Sequence, residues 1–369
     1  MKKQFLILLS CFLLLFLSSC ETINKTNGSD SITGDKPGEI IKEISINRSS
    51  NQANGGRISY DSKKIYYAND GKLYSINKDG KNKKVLFGKY EVYGFEIYKD
   101  RIYIDFKNNG LRGICSINMD GSDEKYLDIE NLNLMGEHWY LGFMVSHGYI
   151  YYYFGNYYGG SNPEWEKELY LDCNKLYRYN IEDGKIDDLN IFFGDASLPI
   201  VYNDKLYLHD EQHLDKLIEI DGDKINSIEY RLGEHKEYGV FSLQVANEYF
   251  YYHNSDQIYR NKLINAEKTE IVLEVKGFIE YMNVTKEYIF FTNAMRDKEG
   301  KVVAQINRIK HDGTELKIIF EYLIEKERTH FIASPIYVVD DLILYKRLDS
   351  SEKEIIVMDF EGNIFDWDL

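Results

Sequence analysis

A chain of 369 residues that is 44% hydrophobic, with only 4 Pro, holds enough apolar material for a large core, which excludes a disordered chain. Its formal net charge of −15 repels phosphate backbones, so a nucleic-acid partner is excluded on electrostatic grounds. Tyr (32) and Phe (19) are abundant enough to be buried on both faces of stacked sheets.

Residues 1–20 open on Lys2 and Lys3, run apolar from Phe5 to Leu17 and end in Leu17-Ser18-Ser19-Cys20. The apolar run is short for a membrane span and has the form of a secretory signal. The Leu-Ser-Ser-Cys ending resembles a bacterial lipobox, in which the signal is cut before the Cys and the thiol carries diacylglycerol. An ordinary cleaved signal with an incidental Cys is the bland alternative. The resemblance implies lipidation at Cys20, an extracytoplasmic location and a membrane anchor, each buried acyl methylene contributing about 0.8 kcal/mol. Residues 21–50 form a polar tether, rich in Asn, Thr, Gly, Ser and Asp as far as Gly38. Within it, residues 41–46 are strand-like and placed to pair with the far end of the chain, closing a ring.

Cys11 leaves with the signal, so Cys115 and Cys173 are the thiols of the mature fold. An oxidising compartment permits a disulfide between them, but their positions in adjacent repeats are not equivalent. Neither a Cys-x-x-Cys nor a zinc spacing is present.

From residue 51 onward a unit repeats. Its clearest copy is 63–86, KKIYYANDGKLYSINKDGKNKKVL, which reads as strand, turn, strand, Asp-Gly turn, strand. Ile65-Tyr66-Tyr67 is a β-branched and aromatic run, and Leu73 to Ile76 alternates with period two. Asp79-Gly80 is expected to supply the positive φ angles of a tight hairpin. The second-strand signal recurs at Ile102-Tyr103-Ile104, Ile150-Tyr151-Tyr152, Leu206-Tyr207-Leu208, Phe250-Tyr251-Tyr252, Ile289-Phe290-Phe291 and Ile343-Leu344-Tyr345. The copies are about 46 residues apart, the length of a four-stranded propeller blade. The third strand and its turn recur too, as in 114–121 (ICSINMDG) and 306–313 (INRIKHDG). Helical periodicity is nearly absent, the best helix candidate being 319–327. The fold read from these signals is all-β: a single β-propeller over 51–369, with seven four-stranded blades and six as the alternative count.

The run from Ile65 to Leu86 resembles the YWTD-type repeat of low-density-lipoprotein-receptor-related propellers. It is closer to a bacterial family of uncharacterised domains described as receptor-related-protein-like β-propellers. Asn54-Gly55-Gly56 and the segment KLYSINKDG at 72–80 carry that match. The resemblance implies a propeller fold over 53–369 and transfers no activity. Tyr67 stands where the motif has Trp, Ala68-Asn69 where it has Thr-Asp, and seven units replace the receptors' six, so no receptor ligand site is carried over.

The Asp-Gly pairs invite a calcium reading, but Asn69-Asp70-Gly71 and Lys78-Asp79-Gly80 hold too few oxygen ligands, which leaves hairpin turns. Two insertions mark a candidate site. Residues 154–174, FGNYYGGSNPEWEKELYLDCN, combine Tyr157, Tyr158 and Trp165 with three Glu. Residues 131–139, leading into the same blade, offer Glu137, His138 and Trp139. Loops between second and third strands leave a propeller on the same face as inter-blade loops. Aromatic rings beside carboxylates suit sugars, cationic groups or a protein surface; the bland alternative is that they cover a blade edge.

His209-Asp210-Glu211-Gln212-His213, with His235, reads as a solvated loop in preference to a metal or general-base cluster. No catalytic residue is assigned: Gly-x-Ser-x-Gly, phosphate-cradling and metalloprotease motifs are missing. No cofactor or metal is expected. The sequence thus points to a monomeric, lipid-anchored module binding an envelope protein or glycan. The alternative is a polysaccharide-acting enzyme with paired carboxylates near the central channel.

Overall fold

The computed structural model describes Arg48, Asn51 and residues 56–129, 139–156, 175–192, 199–209, 216–229, 241–264, 268–324, 335–346, 355–367 and 369. Seven four-stranded sheets follow one another along the chain, each a meander of antiparallel sequence neighbours. They span 58–87, 91–126, 139–192, 200–229, 241–274, 278–323 and 336–365 and are numbered blades 1 to 7 in that order. The count is seven, not six. Every one of the seven second-strand signals lies on the second strand of its blade. The inner strands of blades 2 to 7 touch in succession, that of blade 1 (Ile58–Tyr60) meets that of blade 7 (Ile336–Val339), and the second and third strands of blade 1 meet the inner strand of blade 2.

The short aromatic runs form strands because both of their faces find apolar partners. Tyr66 packs toward blade 2, with Leu73, Phe95 and Ile104, whereas Ile65 and Tyr67 pack toward blade 7, with Tyr337 and Leu344. All three are essentially buried. Each such side chain contributes about 1.5–3 kcal/mol of apolar transfer free energy, which drives blades together face to face.

Two hairpin types set the spacing. Between second and third strands, Asp70 and Gly71 both have positive φ (47° and 70°), a two-residue turn whose twist matches the strands. The Asp79-Gly80 turn differs from the expectation, since only Gly80 is left-handed (φ 77°). Gly80 N–H donates to the Asn77 carbonyl at 2.9 Å, and Asp79 Oδ1 accepts from Lys81 N–H at 3.1 Å. The chain thus makes an ordinary turn closed by a left-handed glycine, held by an Asp side chain. Its glycine has a second purpose. At Gly313 of blade 6 a Cβ would lie 2.6 Å from the Val272 carbonyl in the outer strand of blade 5 (Glu270–Glu274). The turn therefore docks on the preceding blade. At Gly80 the preceding partner is Trp367, 2.8 Å from such a Cβ.

A second repeated contact links blades. Arg178, Arg260 and Arg308, on third strands, lie over Tyr149, Tyr249 and Tyr288 of their own blades. Each also donates to a carbonyl of the next blade: Gly222, His311 and Phe360, at 3.2, 2.6 and 3.1 Å.

Ring closure uses side chains. All four described strands of blade 1 and of blade 7 come from their own stretch of chain, so no described strand is shared across the join. The expected closing segment, 41–46, lies outside the described residues. Just beyond it, buried Arg48 donates from Nε to the Tyr60 carbonyl of blade 1 at 2.8 Å, and buried Asn51 bonds to Val338 of blade 7. Lys78 pairs with Asp340 across the same join at 2.5 Å.

Two expectations are corrected. Within the helix candidate 319–327, residues 319–323 belong instead to an outer strand, Lys317–Leu323, paired with Val302–Lys310, and 325–327 lie outside the described residues. Its Ile319, Phe320 and Tyr322 pack into the cluster between blades 6 and 7, so sheet pairing and burial override weak helical propensity. His209, read as part of a solvated loop, is a strand residue buried to 4% exposure. Cys115 is a free, buried thiol, and Cys173 lies outside the described residues. Among the described residues no helix is long and apolar enough to cross a membrane.

Candidate functional site

Blade 3 begins with Trp139–Ser146 and returns along Tyr149–Asn156, with His147 and Gly148 (φ 51° and 80°) forming the tight turn between them. The register places Trp139 opposite Asn156. The start of the first strand and the end of the second therefore lie side by side at one end of the blade. The pair is held rigidly below. Gly142 lies opposite Tyr153, whose buried ring comes within 2.2 Å of where a Cβ at position 142 would lie. Of the predicted binding residues, Trp139 is the one on a described strand. Glu137, His138, Tyr157, Tyr158 and Trp165 lie outside the described residues, as does Cys20.

The blade 2 side of this seam carries charged residues that sequence reasoning missed. Asp105, on the second strand (Arg101–Asn108), faces Ile114 of the third strand (Leu111–Asn118). Ile114 belongs to the cluster that includes Phe143 and Phe154 of blade 3. Arg112 Nη1 lies 2.5 Å from Asp105 Oδ2, with both side chains at most 5% exposed. The Arg112 guanidinium also sits 3.8 Å from the Tyr93 ring centre, and the Tyr93 hydroxyl donates to Glu91 at 3.1 Å. Asp105 Oδ1 is buried without a hydrogen-bond partner among the described residues. Burial pushes the Asp105 carboxyl up to about 6, outweighing the opposing pull of Arg112. The sequence signal for this pair was a charge inside each of two otherwise apolar runs, IYIDF and LRGIC.

At the opposite end of the same seam, on the face bearing the first-to-second and third-to-outer turns, a cavity of about 430 Å³ opens between blades 2 and 3. It is lined by three tyrosines, Tyr98, Tyr103 and Tyr149, and by polar groups of the surrounding turns. Burial raises the Tyr103 phenol to about 12, so it is a hydrogen-bonding hydroxyl at any physiological pH. Nearby, Ser146 Oγ is 3.1 Å from His147 Nδ1, and His147 Nε2 is 3.4 Å from Asp221 Oδ1. This is no nucleophile: the buried Ser146 hydroxyl donates to the Asp204 carbonyl at 2.5 Å and ties blade 3 to blade 4.

The buried acids of the inner strands, Glu96 and Glu280, belong to blades 2 and 6, which do not adjoin. Among the described residues no three His, Cys, Asp or Glu side chains converge as metal ligands.

The described geometry settles one classification. This chain is a seven-bladed β-propeller. No protein-family model matches the sequence, and no curated protein sequence is similar to it. Solved structures match it at low identity, each with a TM-score below 0.5. A virginiamycin B lyase from Staphylococcus aureus is 16% identical with a TM-score of 0.48, over 78% of this chain and 89% of that one. The extracellular domain of a hybrid two-component system from B. thetaiotaomicron is 13% identical with a TM-score of 0.43, over 83% and 37%. Prolyl oligopeptidase B from Galerina marginata is 16% identical with a TM-score of 0.47, over 81% and 44%. The propeller spans less than half the length of the last two chains. Its classification rests on the strand topology itself.

Proposed function

We propose that this propeller is a lipid-anchored, extracytoplasmic binding module that captures a protein or glycan of the cell envelope at the loop-bearing end of blade 3. The observation that carries this reading is the pairing of Trp139 with Asn156, which brings the strand end before the longest within-blade insertion and the strand end after the 131–139 segment to one rim. Glu137 and His138 precede that rim, and Tyr157, Tyr158 and Trp165 follow it. Rings and carboxylates of this kind suit sugars, cationic groups or a protein surface. The lipobox-like ending at Cys20 supports the anchor and the address, and the net charge of −15 disfavours nucleic acid. The resemblance to the bacterial receptor-related propellers, carried by 54–56 and 72–80, is in keeping with such a module and adds no ligand.

The test is a crosslinking capture of envelope material by the protein, run beside a Trp139→Ala/Trp165→Ala variant. A defined partner held by the wild type and lost from the folded variant is the expected result. Equal capture by both proteins rejects this rim as the binding site.

A further inference from the structure

The cavity between blades 2 and 3 lies at the opposite end of the seam from Trp139. We propose that it is a second binding site, for a neutral saccharide of one or two rings. This site does not depend on the loop-end reading. About 430 Å³ is within the range of small-molecule sites and accommodates a ligand of that size.

Three features of the lining select the ligand class. Tyr98, Tyr103 and Tyr149 bring aromatic carbon to the lining. Lys99 lies over one face of Tyr98 and Arg178 over one face of Tyr149, so a sugar's C–H groups would meet the ring edges and remaining surface. Unused hydrogen-bonding groups accompany them. The Tyr103 hydroxyl, on a residue only 4% exposed, makes no hydrogen bond to any described residue. Asn180 uses its Oδ1 to accept from the Glu182 N–H at 2.8 Å, and its Nδ2 has no partner among the described residues. A buried hydroxyl and an amide beside aromatic rings match a ligand that is itself a ring edged with hydroxyls.

The charges argue against an ionic ligand. Arg101, the buried-side cation of the cavity, has its donors committed: Nε to Ser116 Oγ, Nη1 to Asn118 and Asp123, and Nη2 to the carbonyls of Ser116 and Asp123. Lys99 lies over the Tyr98 ring at 5.1 Å, and the lining also carries the carboxylates of Asp100 and Glu182. No like-charged cluster is present among the described lining residues to capture a phosphate or an ammonium group. A neutral polyol ring is what the remaining groups recognise.

The experiment is calorimetric titration of the full chain, held in a detergent without a sugar headgroup. The probes are glucose, N-acetylglucosamine, maltose and the β-1,4 disaccharide of N-acetylglucosamine, with glucuronate and glucose 6-phosphate as charged controls. The wild type should bind at least one neutral sugar. Tyr103→Phe keeps the ring and removes the hydroxyl, and should weaken that binding by about tenfold, as should Asn180→Ala. Glu299→Ala, at an exposed turn of blade 6 outside both sites, should leave it unchanged. Unchanged unfolding midpoints show that the variants remain folded. No binding of any neutral sugar, preference for the charged controls, or binding indifferent to both cavity substitutions overturns the proposal. Loss on Trp139→Ala alone would overturn it too, moving the saccharide to the loop end.

Discussion

Asn51 and Val338 stand 287 residues apart in sequence, yet the Asn51 amide satisfies both backbone groups of Val338. Nδ2 donates to the carbonyl at 2.8 Å, and Oδ1 accepts the N–H at 2.7 Å. One side chain reproduces the pairing a neighbouring strand would give to the inner edge of blade 7. The same Oδ1 also accepts from Asn283 of blade 6 at 2.8 Å. These buried hydrogen bonds at the end of the tether add to the apolar contact between blades 1 and 7 in closing the ring.

Asn51→Ala leaves the two Val338 groups unsatisfied and should destabilise the fold by about 1–3 kcal/mol. Asn51→Asp cannot donate to the carbonyl and should give no rescue. Denaturant midpoints measure both effects, and a midpoint indistinguishable from wild type for Asn51→Ala would remove Asn51 from the closure.

The Asp105–Arg112 pair predicts an unusual pH response. The folded-state carboxyl is raised from 3.8 to about 6, so the folded chain binds this proton more tightly than the unfolded chain does. Its contribution is fully present below 3.8 and is lost as pH rises through 6. Lowering the pH across that window should therefore stabilise the protein, by up to about 3 kcal/mol. Below it the trend reverses. Asp120 and Asp312 are held below the ordinary carboxylate range by hydroxyl and backbone donors of Ser122 and Thr314, and their contribution disappears as they protonate. In Asp105→Asn the rise should be absent. Parallel pH curves for wild type and variant would contradict the shift.

Removing only the cation should be costly. Arg112→Ala leaves a carboxylate buried without its partner, at a cost of about 3–5 kcal/mol near neutral pH. The loss should shrink on acidification as Asp105 takes up its proton, and equilibrium unfolding at the two pH values measures the difference.

The arginine latches make a quantitative case for blade-to-blade coupling. Arg260 donates from Nε to Glu270 at 2.8 Å and from Nη1 to the His311 carbonyl of blade 6 at 2.6 Å, over the face of Tyr249. Arg260→Ala should cost about 1–2 kcal/mol, and Arg260→Lys should restore less than half because one ammonium cannot span both acceptors. Arg178→Ala, distant in the ring, should add to it independently. Strong non-additivity in unfolding free energies would show instead that the two latches act as one unit.

Cys115 is fully buried, and burial pushes its thiol up to about 12. The folded protein should resist thiol reagents there and label quickly once unfolded. Mass spectrometry of the peptide containing Cys115 reads this directly, and rapid labelling of the native protein would refute it.

The repeated Ile-Tyr-Tyr-like runs and Asp-Gly turns determined the fold class and the position of every second strand, and favoured seven blades over six. They did so because strand alternation and turn chemistry are local properties, readable in windows of a few residues. The insertions flanking blade 3 were legible for the same reason, as departures from a regular spacing. Other relationships had no local signature. The weak helical pattern at 319–327 gave way to an outer strand because burial between blades 6 and 7 outweighs propensity. The Asn51 closure joins residues 287 positions apart. The cavity between blades 2 and 3 is built from three turns that only the ring brings together. Whether Asp105 and Arg112 meet, and in what dielectric, was likewise decided by tertiary structure, since pKa and ion pairing follow distance and burial in space rather than order along the chain.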